Sequence, residues 1–415
     1  MGLFVKINFY ICNGKPSEDS KQQASLGCFV KFLPIHLSSC HYMSEVIVRN
    51  VCFFNSVTFW GGGEKLHLEY ALEFKKKNYN VILATAKNSP LSEKADIHNI
   101  ETFAVSVNNL SFLNPFKIRR LIQFYKSKKI DTVIFSTSHD LKLGSISAKL
   151  AGVKNIVYLR GLAVPIRRTV VNFVVLKYIL THIVANSEET KKRIIQNFKK
   201  SIDKDKVKTI YHGIDVSISN SIDADKKLEE ITTKSHGVIL GNAGRLTPQK
   251  GQQHLVEIAK ILKEKNVEFT LFLAGTGELQ KELESLIEKY DLHKEVILLG
   301  FVKDMDSFMN SIDVFLLTSI WEGFGYVLVE AMIKSKPVLA FDISSNPEIV
   351  TANETGYLID YPDLNMFAQK AQLLIEDEAL RKKLGEAGQK SVIARFNLSE
   401  RITEFEYYLL GKEYI

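Results

Sequence analysis

The chain has 415 residues, 46% hydrophobic and 24% charged, with 54 Lys and Arg against 47 Asp and Glu. That composition excludes charge-driven disorder, and the length sets two domains as the expectation. The modest net charge hides an asymmetry: residues 47–215 hold 28 basic and 13 acidic side chains, residues 216–415 hold 22 and 31. A basic half implies an anionic partner or a well-solvated Lys-rich surface.

Residues 1–42 show no strand or helix periodicity and are read as a disordered or non-native N-terminal extension. Lys6 breaks the first apolar run, against a secretory signal, and stands where a myristoylation pattern wants Ser or Thr. Cys12, Cys28, Cys40 and Cys52 fit no zinc spacing and no disulfide framework. From Glu45 short apolar runs alternate with amphipathic helical patterns. Strands are expected over 47–57, 80–86, 132–136, 155–159, 182–185 and 207–211, with helices through about Lys77, over 115–129, about 143–150, and after Ser187. The stretch 170–185 is the most apolar, but Asn172, Lys177, Thr181 and His182 break it well short of the ~20 residues that cross a bilayer.

Residues 221–236 are polar and aperiodic, a linker. The alternation then restarts, with strands over 238–242, 269–274, 296–299, 314–317 and 337–341. Helices fall over about 252–265, 278–290, 326–334, 364–375 and 378–394, and again after Asn397. Strands separated by such helices imply parallel βαβ units. The expected class is α/β, with two Rossmann-like, doubly wound parallel-sheet domains over 43–220 and 237–397 facing a central cleft. Residues 398–415 form a last helix crossing back to the first domain. Ligands bind at the carboxyl ends of such strands.

Three strand-to-helix turns carry chemistry. Gly61-Gly62-Gly63-Glu64-Lys65 lets backbone amides approach an anion at a helix N-terminus, or is a plain tight turn; it is neither a dinucleotide fingerprint nor a P-loop. Gly244-Arg245-Leu246-Thr247-Pro248-Gln249-Lys250-Gly251 sets two cations on one turn, suited to a diphosphate unless the turn is merely exposed. In Glu322-Gly323-Phe324-Gly325-Tyr326-Val327-Leu328-Val329-Glu330, two carboxylates flank a glycine turn. They suit the hydroxyls of a ribose and a sugar, with a capping and a solvated glutamate as the alternative.

In order and spacing, these strings with Ala274-Gly275-Thr276-Gly277, Leu299-Gly300-Phe301-Val302, Asp313 to Ser319 and Pro337 to Ala340 resemble family 4 retaining glycosyltransferases, which have the GT-B fold. The likeness is looser in the first half, through residues 61–63 and Tyr211-His212-Gly213-Ile214-Asp215, and does not reach residues 1–42. It implies an acceptor domain followed by a nucleotide-sugar donor domain. By that resemblance Arg245 and Lys250 hold the donor diphosphate, Glu330 the ribose, and Glu322 the donor sugar. Gly62, Gly63, Gly244 and the turn Gly323, Phe324, Gly325 and Tyr326 assist, and backbone at Gly300, Phe301 and Val302 pairs with the base. The family transfers sugar with retention and needs no metal; the leaving diphosphate helps deprotonate the acceptor. No metal or other cofactor is expected.

His139, after a strand, is the first-half candidate for a cleft histidine in catalysis, or a partly exposed loop residue. Arg160 stands where many family members carry histidine; it grips an anionic acceptor group or pairs with Asp140 or Glu64. His212 is read as structural. Ser344-Ser345-Asn346 replaces a glycine pair near the donor sugar, and Glu348 is read as the cap of the helix that follows. The expected partners are a UDP- or GDP-sugar donor and a saccharide or lipid-linked acceptor of cell-surface polysaccharide or lipopolysaccharide synthesis, with no nucleic acid. The basic segment 114–129 and Arg167-Arg168 suit a cytoplasmic protein held at the inner face of an anionic membrane, or are ordinary solvated basic faces. A nucleotide-sugar epimerase and a non-catalytic nucleotide-sugar or polyanion binder are the rival readings.

Overall fold

Apolar runs become strands and amphipathic stretches become helices over the residues that the computed structural model describes, 49–198, 201–216 and 235–411. The 1–42 extension and all but Ser235 and His236 of the 221–236 linker lie outside them. The first half runs β1 (Asn50–Asn55), α1 (Gly62–Lys76), β2 (Asn80–Thr85), α2 (Pro90–Ile97), β3 (Glu101–Ala104), α3 (Pro115–Ser127) and β4 (Thr132–Phe135). It continues with α4 (Ser138–Ala151), β5 (Asn155–Arg160), α5 (Val170–Val174), β6 (His182–Ala185), α6 (Glu188–Gln196) and β7 (Val207–Thr209).

The second half runs β8 (Val238–Ala243), α7 (Gln252–Glu264), β9 (Phe269–Ala274), α8 (Gln280–Lys289), β10 (Val296–Gly300), α9 (Met305–Ser311) and β11 (Val314–Leu317). There follow α10 (Tyr326–Ile333), β12 (Val338–Phe341), α11 (Asn346–Ile349), β13 (Gly356–Ile359), α12 (Leu364–Glu376), α13 (Glu378–Arg395) and α14 (Leu398–Leu409).

The two sheets have orders β3-β2-β1-β4-β5-β6-β7 and β10-β9-β8-β11-β12-β13, with parallel ladders throughout. Strands covered on both faces read as continuous apolar text, as in Val133, Ile134 and Phe135, all fully buried. In each sheet the order reverses direction at one place, between β1 and β4 and between β8 and β11. Such a reversal opens a crevice at the carboxyl ends of the strands.

The last helix, α14, packs on the first half rather than the second. Phe405 lies 5.9 Å from the Tyr70 ring and 6.0 Å from that of Phe74, and Leu398 and Ile402 join the same buried cluster. Lys77 and Lys208 reach Glu406 and Glu404 at its edge. Where the chain returns, Ile214 donates to Phe396 at 2.7 Å and Leu398 donates to Ile214 at 2.9 Å. Any side chain at Gly213 would run into the backbone of Leu398, so glycine is required where the two passages touch.

Elements not anticipated from sequence are α2, β3, α5, α9, the one-turn α11 and β13. The strands among them are short: β3 is half-exposed at a sheet edge, so its text shows no apolar run. No helix among the described residues is long and apolar enough to cross a membrane.

Candidate active site

The two crevices bring four loops together: 56–61 after β1, 136–137 after β4, 244–251 after β8 and 318–325 after β11. Most of the described helices are capped by a side-chain oxygen at the N-terminus, for example Ser89, Asn114, Thr137, Ser187, Asp304, Asp363 and Asn397. Five described α-helices lack such a cap, and α1, α7 and α10 differ from the other two, α8 and α11, which follow Leu279 and Ser345. Those three start behind Gly61, Gly251 and Gly325. In α1 the Gly62 and Gly63 N–H groups have no partner among the described residues, and the helix dipole favours an anion there, whereas in α10 the first N–H, that of Tyr326, is already taken by a carbonyl.

Within the second half the cations and carboxylates read from the sequence sit close together. Lys250 Nζ pairs with Glu322 Oε1 at 2.6 Å, and Ser319 Oγ donates to the same oxygen at 2.6 Å. Glu322 is 5% exposed, so this neutralisation is what makes its charge tolerable. Gly244 lies against the Lys250 stem: a Cβ there would meet its methylenes at 3.6 Å. Arg245 is exposed and its guanidinium makes no hydrogen bond or ion pair with another described residue. It faces Glu64 of the first half closely enough to pull on that carboxyl's titration.

The expected base-binding backbone is partly engaged. Gly300, in the left-handed region at φ 70°, gives its carbonyl to the Gly275 N–H at 2.7 Å. Phe301, 70% exposed, and half-buried Val302 follow it at the sheet end, their side chains lying outside the core clusters or at their margin. In the glycine turn, the expectation of ligand contact through every amide is corrected at Tyr326. Phe324 is buried against Phe396, with ring centroids 5.4 Å apart, and its side chain belongs to the core. The Tyr326 N–H is donated to the Phe324 carbonyl at 2.6 Å, and the Tyr326 ring stacks on His212 at 4.2 Å. The amides of Gly323, Phe324 and Gly325 donate to no described residue.

In the first half, Gly62 and Gly63 are the first two residues of α1, and a Cβ at either would meet only open space. Glu64 folds back on the turn and is buried, accepting from Asn55 Nδ2 at 3.2 Å. Burial pushes its carboxyl above the ordinary range, against the pull of Asn55, the Glu64 and Gly61 amides and Arg245. This arrangement satisfies the amides on either side and leaves those of Gly62 and Gly63 free, a capping box with glycine at its N-cap. Asp140 is fully buried and ties the crevice together, accepting from the Ser56 N–H at 2.9 Å, Ser56 Oγ at 2.5 Å and Thr137 Oγ1 at 2.7 Å.

Two first-half expectations change. His139 is not in a loop: it lies in the first turn of α4, half-buried, with Nε2 3.4 Å from Thr137 Oγ1 and 3.7 Å from Asp140. Arg160 meets neither Asp140 nor Glu64. Its guanidinium donates to the Leu162 and Val164 carbonyls, Ser138 Oγ and the Tyr158 hydroxyl at 2.7 to 3.3 Å. Four of its N–H groups are thus engaged by the protein, two by the loop that follows β5, one by Tyr158 of β5 and one by Ser138 of α4, which fits a structural residue rather than a grip for an anion.

The halves meet at contacts that spacing along the chain does not announce. Any side chain at Gly323 would overlap the carbonyl of Gly161, and the Gly323 carbonyl accepts from Ser187 Oγ at 2.6 Å and Thr190 Oγ1 at 3.2 Å. Glu348 does not cap its own helix. Its carboxylate accepts from the Glu188 and Glu189 N–H groups at 2.7 and 2.9 Å, capping α6 of the other half. Lys65 Nζ pairs with Glu330 Oε1 at 2.5 Å. His67, one turn into α1, is fully buried with neither ring nitrogen partnered, which lowers its pKa to about 3. Of these, Thr190 and His67 carried no sequence signal, and Glu348 was read as the cap of its own helix rather than of α6.

Residues 60–218 match the family model "Glycosyltransferase Family 4" and residues 223–391 match "Glycosyl transferases group 1". The UDP-Gal:alpha-D-GlcNAc-diphosphoundecaprenol alpha-1,3-galactosyltransferase of Escherichia coli is 26% identical over 361 residues, 83% of this chain and 92% of that protein. The capsular polysaccharide biosynthesis glycosyltransferase CapM of Staphylococcus aureus is 31% identical over 227 residues, 52% of this chain and 58% of that one. Anabaena Alr3699/HepE, solved in complex with UDP and glucose, shares the fold with a TM-score of 0.76 at 22% identity, over 88% of this chain and all of that one. Two tandem family models, the paired parallel sheets and the cleft between them place the chain in the family 4 glycosyltransferases, with the GT-B fold.

Proposed function

We propose that the protein moves a hexose, with retention of configuration, from a nucleoside diphosphate sugar to a lipid-linked saccharide in the assembly of a cell-surface polysaccharide. The observation that carries this reading is the convergence of three glycine-started helices, α1, α7 and α10, on one cleft beside Arg245 and Lys250. Unpaired amides at helix starts and fixed cations stabilise a group whose negative charge grows as a bond to it breaks, and a departing diphosphate is such a group. Glu322 and Glu330 then take the hydroxyls of the donor sugar and the ribose.

Retention follows, in this proposal, from a leaving diphosphate that accepts the acceptor's proton on the face it has just left, with no enzyme carboxylate as nucleophile. The chemistry runs without a metal. Cations and amides do the work that a divalent ion would otherwise do. A UDP-sugar is the favoured donor, since the Escherichia coli relative is named for UDP-Gal and a GlcNAc-diphosphoundecaprenol acceptor. Such an acceptor brings the protein to the inner face of the cytoplasmic membrane. The basic surface of the first half, where Phe116, Val170 and Tyr178 stand exposed near Lys117, Arg167 and Lys177, suits a peripheral contact with anionic lipid.

The test is to incubate the protein with UDP-Gal, UDP-Glc or UDP-GlcNAc and a GlcNAc-diphosphate-lipid acceptor in EDTA, and to read product mass and anomeric configuration. An α-linked disaccharide lipid formed in EDTA is expected. A β-linked product would remove retention. An epimerised nucleotide sugar from donor alone would replace transfer as the reaction.

A further inference from the structure

Helix α1 carries two groups toward the second half. Its first turn presents the free amides of Gly62 and Gly63, and one residue beyond Glu64 the Lys65 ammonium crosses the cleft to Glu330 Oε1 at 2.5 Å. The same ammonium lies 4.9 Å above the Tyr326 ring, which is stacked on His212 of the passage between halves. Glu69, one turn further along α1, is 3.9 Å from Lys65 and 3.5 Å from His212. Burial disfavours the Lys65 charge, but Glu330 and Glu69, with Asp306 behind them, outweigh it and hold the ammonium above its ordinary value.

We propose that Lys65 is a positioning residue for the donor: by pairing with the ribose carboxylate Glu330 it seats the α1 glycine turn over the diphosphate and couples nucleotide binding to closure of the two halves. This rests on the functional reading above, which gives Glu330 to the ribose. An ionised carboxylate offers about four acceptor positions on two oxygens. Lys65 takes one, on Oε1, and Oε2 has no hydrogen bond to a described residue. The ribose hydroxyls and Lys65 can therefore share Glu330, and the ammonium keeps that carboxylate aimed.

Lys65 and Glu330 are about a third and a sixth exposed. A pair so placed adds little to folding. It does bias which relative placement of the halves is populated, and a nucleotide that touches both gains affinity from that bias. The glycine amides and Lys65 belong to one rigid helix, so fixing the ammonium on Glu330 fixes the height of the amides over the cleft.

The experiment is a double-mutant cycle on UDP affinity by calorimetry, using Lys65→Met, Lys65→Arg, Glu330→Gln and Lys65→Met with Glu330→Gln, each checked by thermal melting. Lys65→Met is expected to weaken UDP about tenfold, within the ordinary range of coupling between linked sites. Lys65→Arg should recover most of the loss, and Lys65→Met should cost nothing further once Glu330 is Gln. With donor as variable substrate, Lys65→Met should raise KM more than it lowers kcat. Independent, multiplicative losses in the double variant, or unchanged UDP affinity in Lys65→Met, overturn the proposal while leaving the functional reading intact. A parent protein that binds no nucleoside diphosphate overturns both.

Discussion

The two halves share one strand order over six strands, to which the first adds β7, and one crevice geometry, but equip them differently. The second half meets the cleft with charged side chains: Arg245, Lys250 and Glu322 lie on its strand-to-helix turns, and Glu330 on the helix that the last of these turns starts. The first half meets it mainly with backbone, the Gly62 and Gly63 amides, buttressed by Glu64, Asn55 and Asp140. One half thus holds a charged ligand and the other shapes the space above it. A side-chain site leaves a spaced motif in sequence, whereas a backbone site leaves only glycines.

The largest effects should come from breaking the charged half. Arg245→Ala removes an exposed guanidinium with no described protein partner, so melting should be unchanged while kcat falls by about 10²–10³, the usual loss for one electrostatic group at a developing charge. Lys250→Ala should lose as much, but it strands buried Glu322. Comparing it with the Lys250→Ala, Glu322→Gln double variant in melting experiments separates the lost rate from the stranded charge. Wild-type rates in Arg245→Ala would erase the contrast between the halves.

The backbone half is tested by adding one methyl group. Gly63→Ala places a Cβ in open space at a helical position. It should therefore hold or raise stability by about 0.4–1 kcal/mol, through the unfolded chain, in a chemical denaturation series. Turnover should nevertheless fall about tenfold, because the methyl stands where a ligand must approach the amides, an interaction whose loss ordinarily costs a kcal/mol or more. A stabilised variant with full activity would make the glycine run a plain turn.

Smaller effects probe the seam and the support. Glu348→Gln keeps an acceptor for one of the two α6 amides but loses the charge at that helix start, and should cost about 1 kcal/mol of unfolding free energy. His67 is held neutral in the native state, with a pKa near 3 against an ordinary 6.5. Its contribution is therefore present above pH 6.5 and is lost as pH falls toward 3, because the unfolded chain takes up the proton first. Relative to His67→Leu, the parent should lose roughly 0.7 kcal/mol between pH 7 and pH 6, read from paired denaturation curves.

Much of the fold was legible because its strands are buried on both faces and its helices are amphipathic. The expected 269–274 and 314–317 match β9 and β11 residue for residue. Exposed or short elements such as β3 and α11 escaped, since their text carries no period. In the site, Arg245, Lys250 and Glu322 were legible as charge on glycine-rich turns, and Glu330 as a carboxylate on the helix that follows one of them. What stayed hidden was pairing across the cleft. Lys65 finds Glu330 265 residues away, and Glu348 finds Glu188 160 residues away, distances over which spacing carries no information. Arg160 misled for the same reason: its carbonyl partners lie in a loop whose path is set by tertiary packing.

The docking of α14 bears on how the molecule comes into being. Tyr70, Phe74 and their neighbours on one face of the first sheet receive Leu398, Ile402 and Phe405 from a helix that leaves the ribosome after the entire second sheet. During synthesis the earlier domain therefore waits with an uncovered aromatic surface until nearly 200 later residues have emerged. Premature termination before Leu398 should accordingly leave a product prone to self-association and chaperone capture, even though every strand of both sheets has already been made.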